Sequence, residues 1–351
     1  MNFSCFASPR AAAGVLALVL STSATWAQTG ALSTAPYGVM SLALPKASRG
    51  LAFPLPAQDL YLGRVAANTA SALTLTPESA DVRVALEDAG PCYVEVLSGP
   101  WEGERFDLDV PATRAGSGET LVLLAGAGNH STVTLAAEAL ADALVVIRPH
   151  VTLATLQTML TPALVGSNSP GKADGVRLFE AGQWVQYTLR ADGKTWLRAN
   201  GSTDQAHRVI PPDTSVILDL RSGAKSWLHH GVVRTNAFRK NLVTGPQAFA
   251  SGFPVDLTPA EIGAFVDPEQ PTGIRWTGAE NFDQADSFER QAASGSTASN
   301  RYHLRANGTS WRRMNVNTDV TQEPFIATAD AWLLRRKNAD PGYVIPVPFA
   351  P

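Results

Sequence analysis

Cysteine is nearly absent from this chain: Cys5 and Cys92 are the two in 351 residues. Cys5 falls in an N-terminal stretch expected to be removed, which leaves a single thiol and no intramolecular bridge. A disulfide-stapled scaffold is thereby excluded, and stability must come from burial. Charge is also sparse, at 17% of residues with a net of −3, and no basic block occurs. That balance excludes a nucleic-acid partner. Beyond the first residues no apolar run approaches the ~18–20 residues a spanning helix needs, so no transmembrane segment is expected in the mature chain. Several catalytic signatures are missing too. There is no Gly-x-Ser-x-Gly elbow, no phosphate loop, no His-Glu-x-x-His pair and no calcium loop. No catalytic residue, metal site or cofactor is therefore assigned.

What the N-terminus does contain is an export signal. Arg10 gives a positive start, Ala11 to Leu20 is a short apolar run, and Thr25-Trp26-Ala27 offers a small-residue cleavage site. Residues 1–27 are expected to be the signal. The mature protein is then exported, to the periplasm, the outer surface or the extracellular space.

The body of the chain contains a duplication. Residues 187–204 and 302–319 are identical at ten positions without a gap, including Tyr187/Tyr302, Leu189/Leu304, Trp196/Trp311 and Arg198/Arg313. Asp192-Gly193 and Asn307-Gly308 read as two-residue hairpin turns with positive φ at both central residues. That turn sets Leu189 opposite Trp196 and Tyr187 opposite Arg198, with Leu304–Trp311 and Tyr302–Arg313 in the second copy. Each set of four lies on one sheet face. Farther on, Val216, Ile217, Leu218 and Leu220 align with Ala331, Trp332, Leu333 and Arg335, and Arg221 with Arg336. A short helix is expected before each hairpin. The first is capped by Thr152 and carries Leu153, Leu156 and Leu160. The second starts at Thr258-Pro259-Ala260-Glu261 and carries Ile262, Phe265 and Val266.

Ahead of the copies, alternation at Cys92–Leu97, the turn at Ser98-Gly99-Pro100, and several short strands between Gly/Pro turns indicate a small barrel or sandwich. The expected class is all-β with minor α. The expected order is a signal at 1–27, a β-barrel-like domain at 28–148, and two helix-plus-meander repeats at 149–244 and 245–351.

Tyr93 to Leu97 with Ser98-Gly99-Pro100 and Gly103, Ile147-Arg148-Pro149-His150 with Thr152-Leu153, Tyr187, Trp196, Pro211-Pro212 and Gly231-Val232-Val233 resemble an uncharacterised family of exported bacterial proteins known mainly from verrucomicrobial-type genomes. The resemblance covers about Gly38 to Val233. It implies a secreted β-rich protein and transfers no catalytic residue. The second copy, past Val233, is a departure from it.

The candidate ligand-binding residues are Trp184, Arg190, Arg305 and His150. Trp184 is not repeated, so it is a candidate stacking platform for a sugar ring. Arg190 and Arg305 recur on the face opposite the Trp–Leu pair, as anion or partner contacts or as strand-edge protection. His150 sits between a strand and a helix, where sites often occur. His229 and His230 should point to opposite faces and cannot share a metal. Glu102, Glu104, Asp107 and Asp109 are a possible carboxylate set, expected mainly as a solvated face. The expected function is non-enzymatic: an exported interaction protein contacting a protein or a surface polysaccharide. A polysaccharide-binding protein is the alternative, and a glycan-processing enzyme the third.

Overall fold

A computed structural model describes residues 36–77, 81–116, 118–125, 130, 134–291, 301–316, 318–328 and 330–349. The expected signal, residues 1–27, lies outside them. The described chain is all-β with short helices, and it buries three separate apolar cores.

One core fills a six-stranded barrel. Its strands run in the spatial order Arg105–Asp107, Cys92–Val96, Leu144–Pro149, Tyr61–Asn68, Ala72–Leu75, Thr120–Val122. The first and last meet through a Leu108–Leu123 bridge, with Leu124 N–H donating to the Asp107 carbonyl at 2.7 Å. Alternation explains the filling: Cys92, Val94, Val96, Phe106, Val145 and Ile147 turn inward. Closure removes the free strand edges that a flat sheet of this size would leave.

The other two cores belong to a pair of sheets with the same strand order. The first is Trp196–Arg198, Gln183–Leu189, Gly175–Glu180, Ser215–Asp219, Ser48–Ala52. The second is Trp311–Arg313, Arg301–Leu304, Ser287–Gln291, Ala331–Arg336, Gly245–Phe249. Each sheet is joined by a matching ladder. Tyr37–Leu44 pairs with Lys225–Val232, and Phe238–Leu242 with Asp340–Ile345. Leu42 faces Trp227 as Lys240 faces Tyr343, and Leu51 faces Val216 as Phe249 faces Trp332. Residues 37–52 are thus the counterpart of 235–250 and belong with the first repeat. The barrel is inserted within that repeat, between Ala52 and Val151.

The hairpin register is as the sequence predicts: Leu189–Trp196, Tyr187–Arg198, Leu304–Trp311 and Tyr302–Arg313 are direct partners. Both Trp–Leu pairs are fully buried. The turn itself differs from expectation. Only Gly193 and Gly308 have positive φ, not Asp192 or Asn307. The Asp192 carboxylate accepts the Lys194 and Thr195 N–H groups at 2.9 Å, and the Asn307 amide oxygen accepts Thr309 and Ser310 at 3.1 Å. These side chains satisfy the loop backbone directly, so a single left-handed glycine suffices. Asn200 and Asn315, at φ 63° each, recur for the same conformational reason.

Two further expectations are corrected. Only the first helix forms, Leu153–Thr158 with Thr152 and Thr155 as a capping box, and Leu160 is in a strand. At Thr258 the predicted capping bonds with Glu261 are made, yet the turn stops at Gly263, φ +70°. The chain is there drawn onto the hairpin: Val266 N–H donates to the Gly308 carbonyl at 2.9 Å, and the Trp311 indole donates to Ala264 at 2.7 Å. The last strands align one residue later than the sequence indicated. Leu218 pairs with Val176 as Leu334 pairs with Phe288, so Val216 corresponds to Trp332. Arg336 thereby takes the place of Leu220, and Arg221 that of Lys337. Arg336 is buried, whereas Arg221 is exposed.

The loops below the hairpins repeat as well. Ser167 N–H donates to the Leu189 carbonyl at 3.0 Å, and Ala279 to Leu304 at 3.0 Å. A Cβ on Gly166 would stand 1.7 Å from the Arg190 carbonyl oxygen, and one on Gly278 1.9 Å from that of Arg305. Gly166→Ala and Gly278→Ala should each destabilise the chain by about 1–3 kcal/mol or more. Gly90→Ala, with open space around it, should change stability by less than about 0.5 kcal/mol. Denaturant unfolding checks this, and equal midpoints for all three variants would contradict the repeated close approach.

Candidate functional site

The outer side of the barrel strands carries Tyr93, Glu95, Arg105, Asp107 and Arg148, all buried. They are covered by residues 234–240, the segment that leads into the second repeat. Glu95 receives the guanidinium groups of both Arg148 and Arg234, and the Asn236 amide at 3.2 Å. Arg148 also reaches Asp59 at 2.7 Å. The Phe238 ring carries two guanidinium groups, Arg105 at 4.2 Å and Arg234 at 4.6 Å. Lys240 meets Asp213 at 2.9 Å. The Ser98–Gly103 turn closes the seam: Arg239 N–H donates to the Gly103 carbonyl at 3.3 Å, and Ala237 N–H to Glu102 at 2.9 Å.

This is a polar seam sealed from solvent, not a solvated face. That corrects the expectation for Glu104 and Asp107, which are buried, while Glu102 and Asp109 are half-buried. Asp107 accepts His150 at 2.8 Å and His130 at 2.9 Å, and its carboxyl is held well below the usual range: burial opposes ionisation, but the two histidines outweigh it. Asp109 caps the Val110–Ala115 helix through Ala112 N–H at 3.0 Å. Glu102 serves the seam backbone. Glu104 is fully buried, and its carboxyl is raised to about 7 by burial, with Arg239 and Arg105 partly offsetting that effect. No two of them face an open cleft, so the arrangement offers no acid/base pair for glycoside hydrolysis. Cys92 is buried and its thiol is pushed up to about 12, which leaves it unreactive. Among the described residues no group of three or more His, Cys, Asp or Glu is placed to hold a metal ion.

The candidate residues stand in four separate places. His150 is buried in the seam against Asp107, its ring 4.7 Å from that of Tyr93. Trp184 is half-buried, edge-on to Phe179 at 5.2 Å. Arg305 lies 3.9 Å from Glu280. Arg190 is half-buried on the first hairpin, where its N–H pairs with the Thr195 carbonyl at 2.9 Å. His229 and His230 do point to opposite faces. His229 is buried and stacked on Trp227 at 5.3 Å, while His230 is exposed.

The most exposed apolar surface on a strand is one the sequence did not single out. Along Tyr37–Leu44 and its partner Lys225–Val232, Tyr37, Val39 and Leu228 are 56%, 66% and 49% exposed. His230 lies 6.1 Å from the Tyr37 ring. Tyr37–Leu44 ends its sheet among the described residues. Its counterpart in the second repeat is Phe238–Leu242, and there Arg239 N–H, equivalent to that of Ser41, is taken by the barrel turn at Gly103. Among the described residues, one edge is capped within the molecule and the equivalent edge is left open. Among the described residues no helix is long and apolar enough to cross a membrane.

Comparison with known proteins returns no family model, no curated protein and no solved structure that matches the chain.

The seam makes stability depend on pH. Glu104 keeps its proton in the folded state up to about pH 7, whereas the unfolded chain releases it near 4.5. The folded state then binds more protons than the unfolded across this window, so the contribution of Glu104 to stability falls as pH rises from about 4.5 to 7. Glu104→Gln should remove that fall. Melting temperatures of parent and variant across the window check it, and parallel profiles would contradict it.

Proposed function

We propose that the chain is an exported, non-enzymatic interaction protein of the cell envelope or extracellular space, and that it engages a protein partner by strand addition along Tyr37–Leu44. A single observation carries this reading: among the described residues, the edge that the barrel turn caps at Arg239 is open at its counterpart, Ser41, and is flanked by exposed Tyr37, Val39 and Leu228. An uncapped strand edge offers a row of backbone donors and acceptors, and apolar side chains beside it add burial when a partner strand docks. The signal-like N-terminus supports export. The engaged state of every carboxylate in the seam speaks for contact over chemistry.

A photo-crosslinking residue at Val39, in cells that produce the protein, should trap one discrete partner. The same residue at Val84, 69% exposed on the barrel, should not. Ser41→Pro removes the donor on the open edge and should abolish the adduct while leaving the folded spectrum intact. Absence of an adduct at Val39, equal yields at Val39 and Val84, or an adduct indifferent to Ser41→Pro would each contradict strand addition.

A further inference from the structure

We propose that the second repeat carries a binding cleft for a neutral sugar ring, built on Phe325 and Tyr302 and absent from the first repeat. The cleft has a volume of about 450 Å³. Its floor is aromatic: the Tyr302 and Phe325 rings stack at 3.9 Å with 7° between their planes, and buried Trp332 stands 5.8 Å from Phe325. Phe325 is half-buried, which leaves part of its surface facing the cleft. The rim is made of two ion pairs, Arg313–Glu323 at 3.2 Å and Arg290–Asp330 at 2.7 Å.

This combination selects the ligand class. A sugar ring has an apolar C–H face that packs on an aromatic floor, and an equator of hydroxyls that each donate and accept. Each rim pair presents donors and an acceptor side by side. The two positive and two negative groups cancel, so the cleft favours no net charge on its ligand. An anionic ligand would have to displace Glu323 or Asp330 from its arginine.

The first repeat is an internal control. Glu323 N–H donates to the Val320 carbonyl as Arg208 N–H does to Gln205, so Arg208 occupies the place of Glu323. There Tyr187 is tied to Glu180 at 2.7 Å, and Arg208 closes on the same carboxylate at 2.8 Å. The strand pairings place Leu178, Thr214 and Val216 where the second repeat has Arg290, Asp330 and Trp332. At these positions the first copy holds Leu178, Thr214, Val216 and a closed ion cluster, so it has no such rim. The cleft is separate from the open Tyr37–Leu44 edge, and either reading stands without the other.

Titration calorimetry of the full mature chain with cellohexaose, xylohexaose, mannohexaose, chitohexaose and hexagalacturonate tests the assignment. At least one of the four neutral oligomers should bind with Kd below about 1 mM. Phe325→Leu keeps an apolar side chain but removes the ring face, and should weaken binding by about tenfold or more. Glu323→Gln should weaken it too, and Trp184→Ala should leave it unchanged. Near-ultraviolet circular dichroism of each variant confirms that the fold is retained. No binding of any neutral oligomer, preferential binding of hexagalacturonate, or binding lost in Trp184→Ala but kept in Phe325→Leu would overturn the proposal.

Discussion

A buried aspartate organises each repeat. Asp174 is wholly buried and accepts the N–H groups of Val165, Arg221 and Ser222 at 2.9, 2.7 and 2.8 Å. Burial opposes its ionisation, but the Ser222 hydroxyl and these amides outweigh that and hold the carboxyl below its ordinary value. Lys225, also buried, lies 3.4 Å away. Asp286 holds the equivalent loops in the second repeat: it accepts Thr277 N–H at 2.8 Å and Lys337 N–H and meets buried Arg336 at 2.9 Å, although there burial outweighs these contacts and raises the carboxyl above its ordinary value. A charge in this setting is tolerable only if its hydrogen bonds and its partner are all in place. Each carboxylate therefore fixes the loop entering the sheet and the loop leaving Ser215–Asp219 or Ala331–Arg336 in one arrangement. The hairpin, the close passage of Gly166 or Gly278 and the outer ladder all follow from that fixed pair of loops.

The hairpin was legible in the sequence because its cues are local. Tyr, Leu, Trp and Arg recur at one spacing, side chains alternate with period two, and a glycine marks the bend. The aspartates were not legible, although they matter more. Asp174 and Asp286 fall out of the hairpin's spacing because the loops before and after the hairpin differ in length between the copies. A one-residue difference in the loop after the hairpin hid the shift that makes Val216 the counterpart of Trp332. Ser48–Ala52 could not be assigned to its sheet either, because the barrel separates it in sequence from the strand it completes. The alternation at Cys92–Leu97 does not tell which of its two faces is wet, and only the return of Arg234 to Lys240 over Tyr93, Glu95 and Arg148 turns their face into an interior. The facing leucines read from the turn account for the burial of Trp196 and Trp311. Phe325 gave no periodic signal, since it lies in a loop and acquires its meaning only from Tyr302 beneath it.

Insertion of the barrel breaks the symmetry of the two repeats. The barrel interrupts the first repeat and docks through its polar outer side on the entry strand of the second. Its Ser98–Gly103 turn caps the second repeat's outer edge, and among the described residues nothing caps the first repeat's edge. One molecule thus holds two frames of the same strand order with different exposed surfaces: among the described residues, an open apolar edge on the first and an aromatic cleft on the second. The Trp–Leu pair, the left-handed asparagine and the buried carboxylate are held in common.

Residue-resolved hydrogen exchange tests the central claim most directly. Val165, Arg221 and Ser222 N–H in the first repeat, and Thr277 and Lys337 N–H in the second, belong to loop segments by sequence, yet each is held by a buried carboxylate. The account predicts that all five exchange as slowly as the amides of the central strands, and that Asp174→Asn accelerates only the first three. Exchange of these amides at the rate of open loops, in either repeat, would contradict it.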